Sequence, residues 1–199
     1  MERGSPSVTI IPTDDSSNTL ADALERNPRE DHRHYLNHFS MRPPDLTMEL
    51  MAEHDIHITQ QPNFTYTLEG RYAANLDGWR LDHNNPLRSP MEHGVTVAIS
   101  SDILPIGPMV GLYAAVTRKG MSGQVYGPDE IITIEEAIRA YTLTGAYLNF
   151  EEDVKGSLEP GKFADMIVLS DDVLTIDPER IMDIEVEQTY INGKLVYKK

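Results

Sequence analysis

Gly94-Val95-Thr96-Val97-Ala98-Ile99-Ser100-Ser101-Asp102 reads as an apolar, β-branched strand that ends abruptly in a carboxylate, with Pro105 and Gly107 breaking the chain just beyond it. Near-continuous hydrophobicity is what a strand buried on both faces requires, as in a parallel sheet. A carboxylate at the C-terminal end of such a strand occupies the position where α/β barrels carry their chemistry. Asp102 is therefore the first candidate functional residue.

Working outward, Pro108 to Lys119 is expected to be a helix, followed by a glycine-rich loop around Gly120, Gly123 and Gly127. Thr133-Ile134-Glu135-Glu136 has capping-box spacing, so a helix starts there and is expected to run to about Leu148. Upstream, His57 to Gln61 reads as a strand, and Pro43-Pro44 opens a helix to about Glu53 with Leu46, Leu50 and Met51 as its apolar stripe. Asp31 to Ser40 holds a further strand candidate, Asn18 to Arg26 a short helix, and Ser7 to Ile11 a short strand. Asn63 to Pro90 is polar, aromatic and irregular, and loops of that length inside a compact domain are commonly functional. Strands alternating with helices predict an α/β fold with a parallel sheet.

The character changes near Glu151. Met166 to Leu169 reads as one strand and Glu185 to Tyr197 as two more around Asn192-Gly193, a dipeptide that accepts the positive φ of a type I′ hairpin turn. The expected division is residues 1–150 as the α/β part and 151–199 as an all-β tail.

With 199 residues, 40% hydrophobic and 25% charged, the chain has the composition of an ordinary globular protein. A net charge of −15 argues against nucleic acid as a partner, which calls for a basic face. No apolar run approaches the ~20 residues of a membrane span, and Met1-Glu2-Arg3-Gly4-Ser5-Pro6 lacks a signal-peptide core, so the expectation is a cytoplasmic protein that binds no membrane. With no cysteine, any metal must be held by histidine and carboxylate.

Lys155-Gly156-Ser157-Leu158-Glu159-Pro160-Gly161-Lys162-Phe163-Ala164-Asp165-Met166-Ile167-Val168-Leu169 closely resembles the amidohydrolase superfamily at the point where its chain leaves the barrel for a small β-sandwich. Val186 to Tyr197 is similar to the closing hairpin of that sandwich. Ala98-Ile99-Ser100-Ser101-Asp102 followed by Pro105 resembles the last barrel strand of the subgroup called amidohydrolase family 3, and Arg33-His34-Tyr35-Leu36-Asn37-His38 resembles its penultimate metal-binding segment, with Asn37 where the pattern commonly has Glu. The resemblance covers most of the chain from about residue 31.

The resemblance implies a partial (β/α)8 TIM-like barrel, made of its last strands, followed by a small C-terminal β-sandwich segment. It implies a metal-dependent hydrolase of non-peptide carbon–nitrogen bonds with a small-molecule amide-type substrate and a divalent metal, zinc by expectation. His38 corresponds to the sixth-strand metal histidine and Asp102 to the eighth-strand aspartate, which is both ligand and catalytic proton acceptor. The fifth-strand segment aligns with Ile11-Pro12-Thr13-Asp14-Asp15, where the histidine is missing; Asp14-Asp15 is a replacement ligand or, more simply, a turn and helix cap. The first- and fourth-strand ligands have no counterpart. A full barrel takes about 250 residues, and the ~150 left here before the tail suit three or four βα units. Open parallel edges need cover, so the expectation is an oligomer or a complementary chain carrying the missing strands, a piece of a longer protein, or a reduced fold.

Two ligands are too few for tight catalytic zinc, which takes three protein ligands and an open position, so the chain alone is expected to have little or no hydrolase activity. The alternatives are a catalytically inactive remnant or partner subunit, and a small-molecule binding module built on the Asn63–Pro90 stretch. That stretch and its approach offer Gln60, Gln61, Asn63, Tyr66, Arg71, Trp79, Arg80 and Asn84 either as substrate-orienting groups or as surface anchors. All seven histidines lie between positions 32 and 93. Outside the resemblance His32 and His34 read as strand-edge or solvent residues, His54 and His57 as an exposed turn, and His83 and His93 as loop residues that could touch substrate.

Overall fold

A computed structural model describes residues 7–8, 14–102 and 107–199. Residues 9–11 of the expected first strand, the segment 11–13 and Pro105 lie outside them. Four parallel strands, β1 (Ser7–Val8), β2 (Tyr35–Asn37), β3 (His57–Gln60) and β4 (Val97–Ile99), lie side by side in chain order. Tyr35 pairs with His57 and Ile58 with Val97, so the C-terminal ends of β2, β3 and β4 fall on one edge.

β4 is three residues long, shorter than the apolar run predicts, and all three are buried. Its start is set by glycine: the helix Arg88–Glu92 ends with Gly94 at φ 85°, the Gly94 N–H donating to Met91 O and the Val95 N–H to Pro90 O at 3.0 and 2.9 Å. Those two bonds are a Schellman closure, which favours glycine because it needs the left-handed region. A Cβ at Gly94 would meet only Ala52 Cβ, at an ordinary 3.6 Å. Gly94→Ala should therefore cost the backbone penalty alone, about 1–2 kcal/mol in urea unfolding; an unchanged midpoint would contradict this closure.

Helices α1 (Asp14–Arg26) and α2 (Asp45–Glu53) pack against each other, and their Ala21, Leu24, Met48 and Met51 share a buried cluster with Leu36 and Ile58 of the sheet. α2 turns Met48 and Met51 into the core, whereas Leu46, expected on the apolar stripe, is 76% exposed. The stretch read as irregular is mostly helical: α3 (Asn63–Thr67), α4 (Glu69–Asn75), α5 (Gly78–Asp82) and α6 (Arg88–Glu92). None of these helices is capped by the side chain of its own N-cap residue. Charged side chains bonding across long sequence separations order them instead. Arg118, fully buried, donates to the carbonyls of Asn84, Asn85 and Tyr126 at 2.7, 2.9 and 2.8 Å. Buried Glu130 accepts from the Leu87 and Ser89 backbone N–H groups and the Ser89 hydroxyl. Glu69 accepts from the Ser122 N–H and the hydroxyls of Ser122 and Tyr126.

α7 (Pro108–Thr117) follows β4, and the predicted capping box is formed in full at Thr133 and Glu136. The helix it starts is two helices, α8 (Ile134–Tyr141) and α9 (Leu143–Leu148), because Thr142 leaves helical geometry (ψ −86°) while its hydroxyl donates to Ile138 O at 2.8 Å. The tail forms a separate antiparallel sheet, β5 (Met166–Leu169), β6 (Val186–Ile191) and β7 (Lys194–Lys198). Asn192 and Gly193 turn its hairpin at φ 49° and 74°, as the dipeptide predicts. Between β5 and β6 a 3₁₀ turn, Pro178–Asp183, packs on α7 and puts Ile181 into the core, with Lys119 and Glu179 paired at 2.6 Å. Ile167, Ile191, Val196 and Tyr197 of the tail sheet are exposed apolar groups. Among the described residues no helix is long and apolar enough to cross a membrane.

Candidate metal centre

The carboxyl ends of β2, β3 and β4 bring together the two residues singled out in the sequence. His38 follows β2 directly, and Asp102 lies three residues beyond β4. His38 Nε2 and Asp102 Oδ2 are 3.9 Å apart, with the side chains 28% and 40% exposed. Both backbones are left-handed, at φ 57° and 61°. Each such position costs a non-glycine residue about 1–2 kcal/mol, and backbone strain of this kind concentrates at functional sites.

Polar side chains lock both turns. Asn37 Oδ1 accepts from the His38 N–H (3.0 Å), the Thr59 hydroxyl (2.5 Å) and Gln61 Nε2 (3.0 Å). Gln61 Nε2 also donates to Ser100 Oγ at 2.8 Å, and Asn63 Nδ2 donates to Ser101 O at 2.9 Å. Gln61 and Asn63 are fully buried, and their side-chain oxygens have no hydrogen-bond partner. The His38 ring lies parallel to Phe64, centroids 6.2 Å apart. Imidazole nitrogen and carboxylate oxygen are a donor set suited to zinc, and two such donors on one tetrahedral metal with bonds of about 2.1 Å sit about 3.4 Å apart. The observed pair therefore fits two coordination positions with a small closure. Among the described residues no group of three or more His, Cys, Asp or Glu could hold a metal.

The remaining histidines lie elsewhere. His32 and His34 stack at 4.8 Å, and His32 Nε2 is 3.0 Å from His54 O. His57, expected at an exposed turn, is only 4% exposed because it begins β3 and meets the edge of Tyr147, centroids 5.7 Å apart. Burial holds its pKa down to about 4. His83 stacks on exposed Trp79, and His93 Nδ1 lies 2.7 Å from Ser89 O. Asp14 and Asp15 open α1. Of the polar groups proposed around the long stretch, Gln61 and Asn63 reach the site. Gln60 and Asn84 instead brace backbone carbonyls, Tyr66 packs edge-on to Tyr113, and Arg71 and Arg80 are exposed. Sequence reasoning missed Ser100 as a member of the network, and nothing in its local context marks it. The sequence does flag Asn37 through its departure from the pattern, although not its three bonds.

Residues 8–197 match the amidohydrolase family. An N-substituted formamide deformylase of Arthrobacter pascens is 35% identical over 157 residues, which cover 75% of this chain and 28% of that protein. A Bacillus subtilis protein named as an amidohydrolase, YtcJ, is 31% identical over 186 residues, 90% of this chain and 35% of its own. Among solved structures, a metal-dependent hydrolase from Pyrococcus furiosus superposes with a TM-score of 0.67 at 27% identity, covering 85% of this chain and 34% of that one. An amidohydrolase from Thermotoga maritima has the same TM-score at 20% identity, covering 97% and 43%, and supports the fold alone. The chain thus spans about a third of the length of the curated relatives it matches.

Proposed function

The chain belongs to the amidohydrolase family, and from that premise we propose that it forms part of a metal-dependent hydrolase of non-peptide carbon–nitrogen bonds in small amide-type substrates. The observation that carries this reading is the His38–Asp102 pair, 3.9 Å apart at the carboxyl ends of parallel strands. His38 would hold the metal, zinc in this reading, through its imidazole, and Asp102 through its carboxylate. As a half-exposed base at the mouth of the sheet, Asp102 would accept the proton of the attacking water and return it to the leaving nitrogen. A divalent metal bound there would polarise the substrate carbonyl and acidify the water. The kinship with a protein named as an N-substituted formamide deformylase supports formamides as the first substrates to try.

In this reading residues 1–150 are the last strands and helices of a (β/α)8 barrel, and residues 151–199 are part of a β-sandwich. Further polypeptide supplies the remaining ligands and covers both the open edges of the parallel sheet and the exposed apolar sheet of the tail. The short match to longer relatives and the shortage of metal donors among the described residues support it.

Zinc titration of the purified chain tests this. Weak binding is expected, lost in His38→Ala and in Asp102→Asn, with negligible hydrolysis of an N-substituted formamide by the chain alone. Tight stoichiometric zinc that survives both substitutions would overturn the assignment.

A further inference from the structure

We infer that Asn37 is the positioning residue of the candidate centre: its side-chain oxygen pins His38 in the left-handed turn that faces the imidazole toward Asp102. The inference rests on the metal-site reading above but is decided by its own geometry. Three donors converge on Asn37 Oδ1, from the His38 backbone, the Thr59 hydroxyl and the Gln61 amide. The His38 backbone N–H can only donate, so the Asn37 atom that faces it is the oxygen, and this fixes the orientation of the amide.

The bond to the His38 N–H matters most. A non-glycine residue at φ 57° gives up about 1–2 kcal/mol relative to ordinary geometry, and a hydrogen bond from the preceding side chain is of the size needed to offset it. Without the acceptor, the turn relaxes to negative φ and carries the ring away from Phe64 and Asp102. The same amide reaches the other ligand. Gln61 Nε2 bridges Asn37 Oδ1 and Ser100 Oγ, so a continuous run of hydrogen bonds crosses β3 from the His38 N–H to a residue two before Asp102. One side chain thereby ties the end of β2 to the end of β4 and sets the gap between the two donors. Asn37 touches neither substrate nor metal, and its role is to aim the residue that does.

Amide exchange and imidazole signals of His38, read by NMR, separate this role from ordinary stabilisation. In Asn37→Ala, His38 amide exchange should rise about tenfold, the loss of one net hydrogen bond, and the His38 ring protons should lose the ring-current shift from Phe64. Zinc affinity should fall about 10- to 100-fold. Asn37→Asp keeps the acceptor and should restore all three. Should Asn37→Ala fail to fold, Gln61→Met cuts the same run just beyond β3 and should still move the His38 ring signals. Unchanged His38 exchange and ring shifts in Asn37→Ala would overturn the inference, as would an Asn37→Asp variant as impaired as Asn37→Ala. Absence of any zinc response at His38 in the unaltered chain would instead overturn the metal reading, leaving exchange and ring shifts to decide the role of Asn37.

Discussion

Between pH 6.5 and 4 the chain is expected to lose about 3 kcal/mol of folding stability through His57 alone. In the folded chain the buried ring stays neutral down to about pH 4, whereas the unfolded chain protonates it near 6.5. The folded pKa lies below the unfolded one, so the unfolded state binds more protons across this window and stability falls as pH falls. Desolvation is the main cause; the neighbouring His32 and Arg33 charges act in the same direction, and Asp55 and Asp31 oppose them. The ring sits at the start of β3 against Tyr147, and its Nε2 has no hydrogen-bond partner. Phenylalanine has similar bulk and does not titrate. Urea unfolding of the unaltered chain and of His57→Phe at pH 7, 6, 5 and 4 isolates the contribution, since carboxylate titrations are common to both. The two curves should diverge below pH 6.5, and parallel losses would contradict the buried neutral histidine.

Arg118→Ala should cost about 3–5 kcal/mol, the scale for breaking a buried, partnered charge. Burial brings the Arg118 pKa down to about 10, and Glu130 works against that shift, so the guanidinium remains charged. Its three carbonyl partners at Asn84, Asn85 and Tyr126 would be left buried without donors, and Glu130 would lose its nearby cation. Arg118→Lys keeps the charge but not the planar fork, so it should recover only part of the loss. Denaturant unfolding checks both, and a loss below about 1 kcal/mol for Arg118→Ala would contradict the clamp.

What the sequence revealed and what it hid divide along one physical line. The capping box at Thr133, the Asn192-Gly193 turn and the buried β4 are written in adjacent residues, and each is found where the local code puts it. The helices between Asn63 and Glu92 are not legible in the sequence, because Arg118 and Glu130 order that stretch from the far side of tertiary contacts and Glu69 within it is held by distant Ser122 and Tyr126. His57 looked like a turn residue because Tyr147, which covers it, is 90 positions away. At the candidate centre, His38 and Asp102 could be nominated from a strand end and a family resemblance. Their left-handed backbones, and the Asn37–Gln61–Ser100 run that aims them, depend on side chains meeting across β3.

The account turns on His38 and Asp102 forming one coordination face. Crystals of the chain soaked in zinc, with anomalous scattering recorded on both sides of the zinc edge, test this most directly. The expected result is an anomalous peak about 2.0–2.2 Å from both His38 Nε2 and a carboxylate oxygen of Asp102. Zinc bound instead at the stacked His32–His34 pair, with no density between His38 and Asp102, would contradict it.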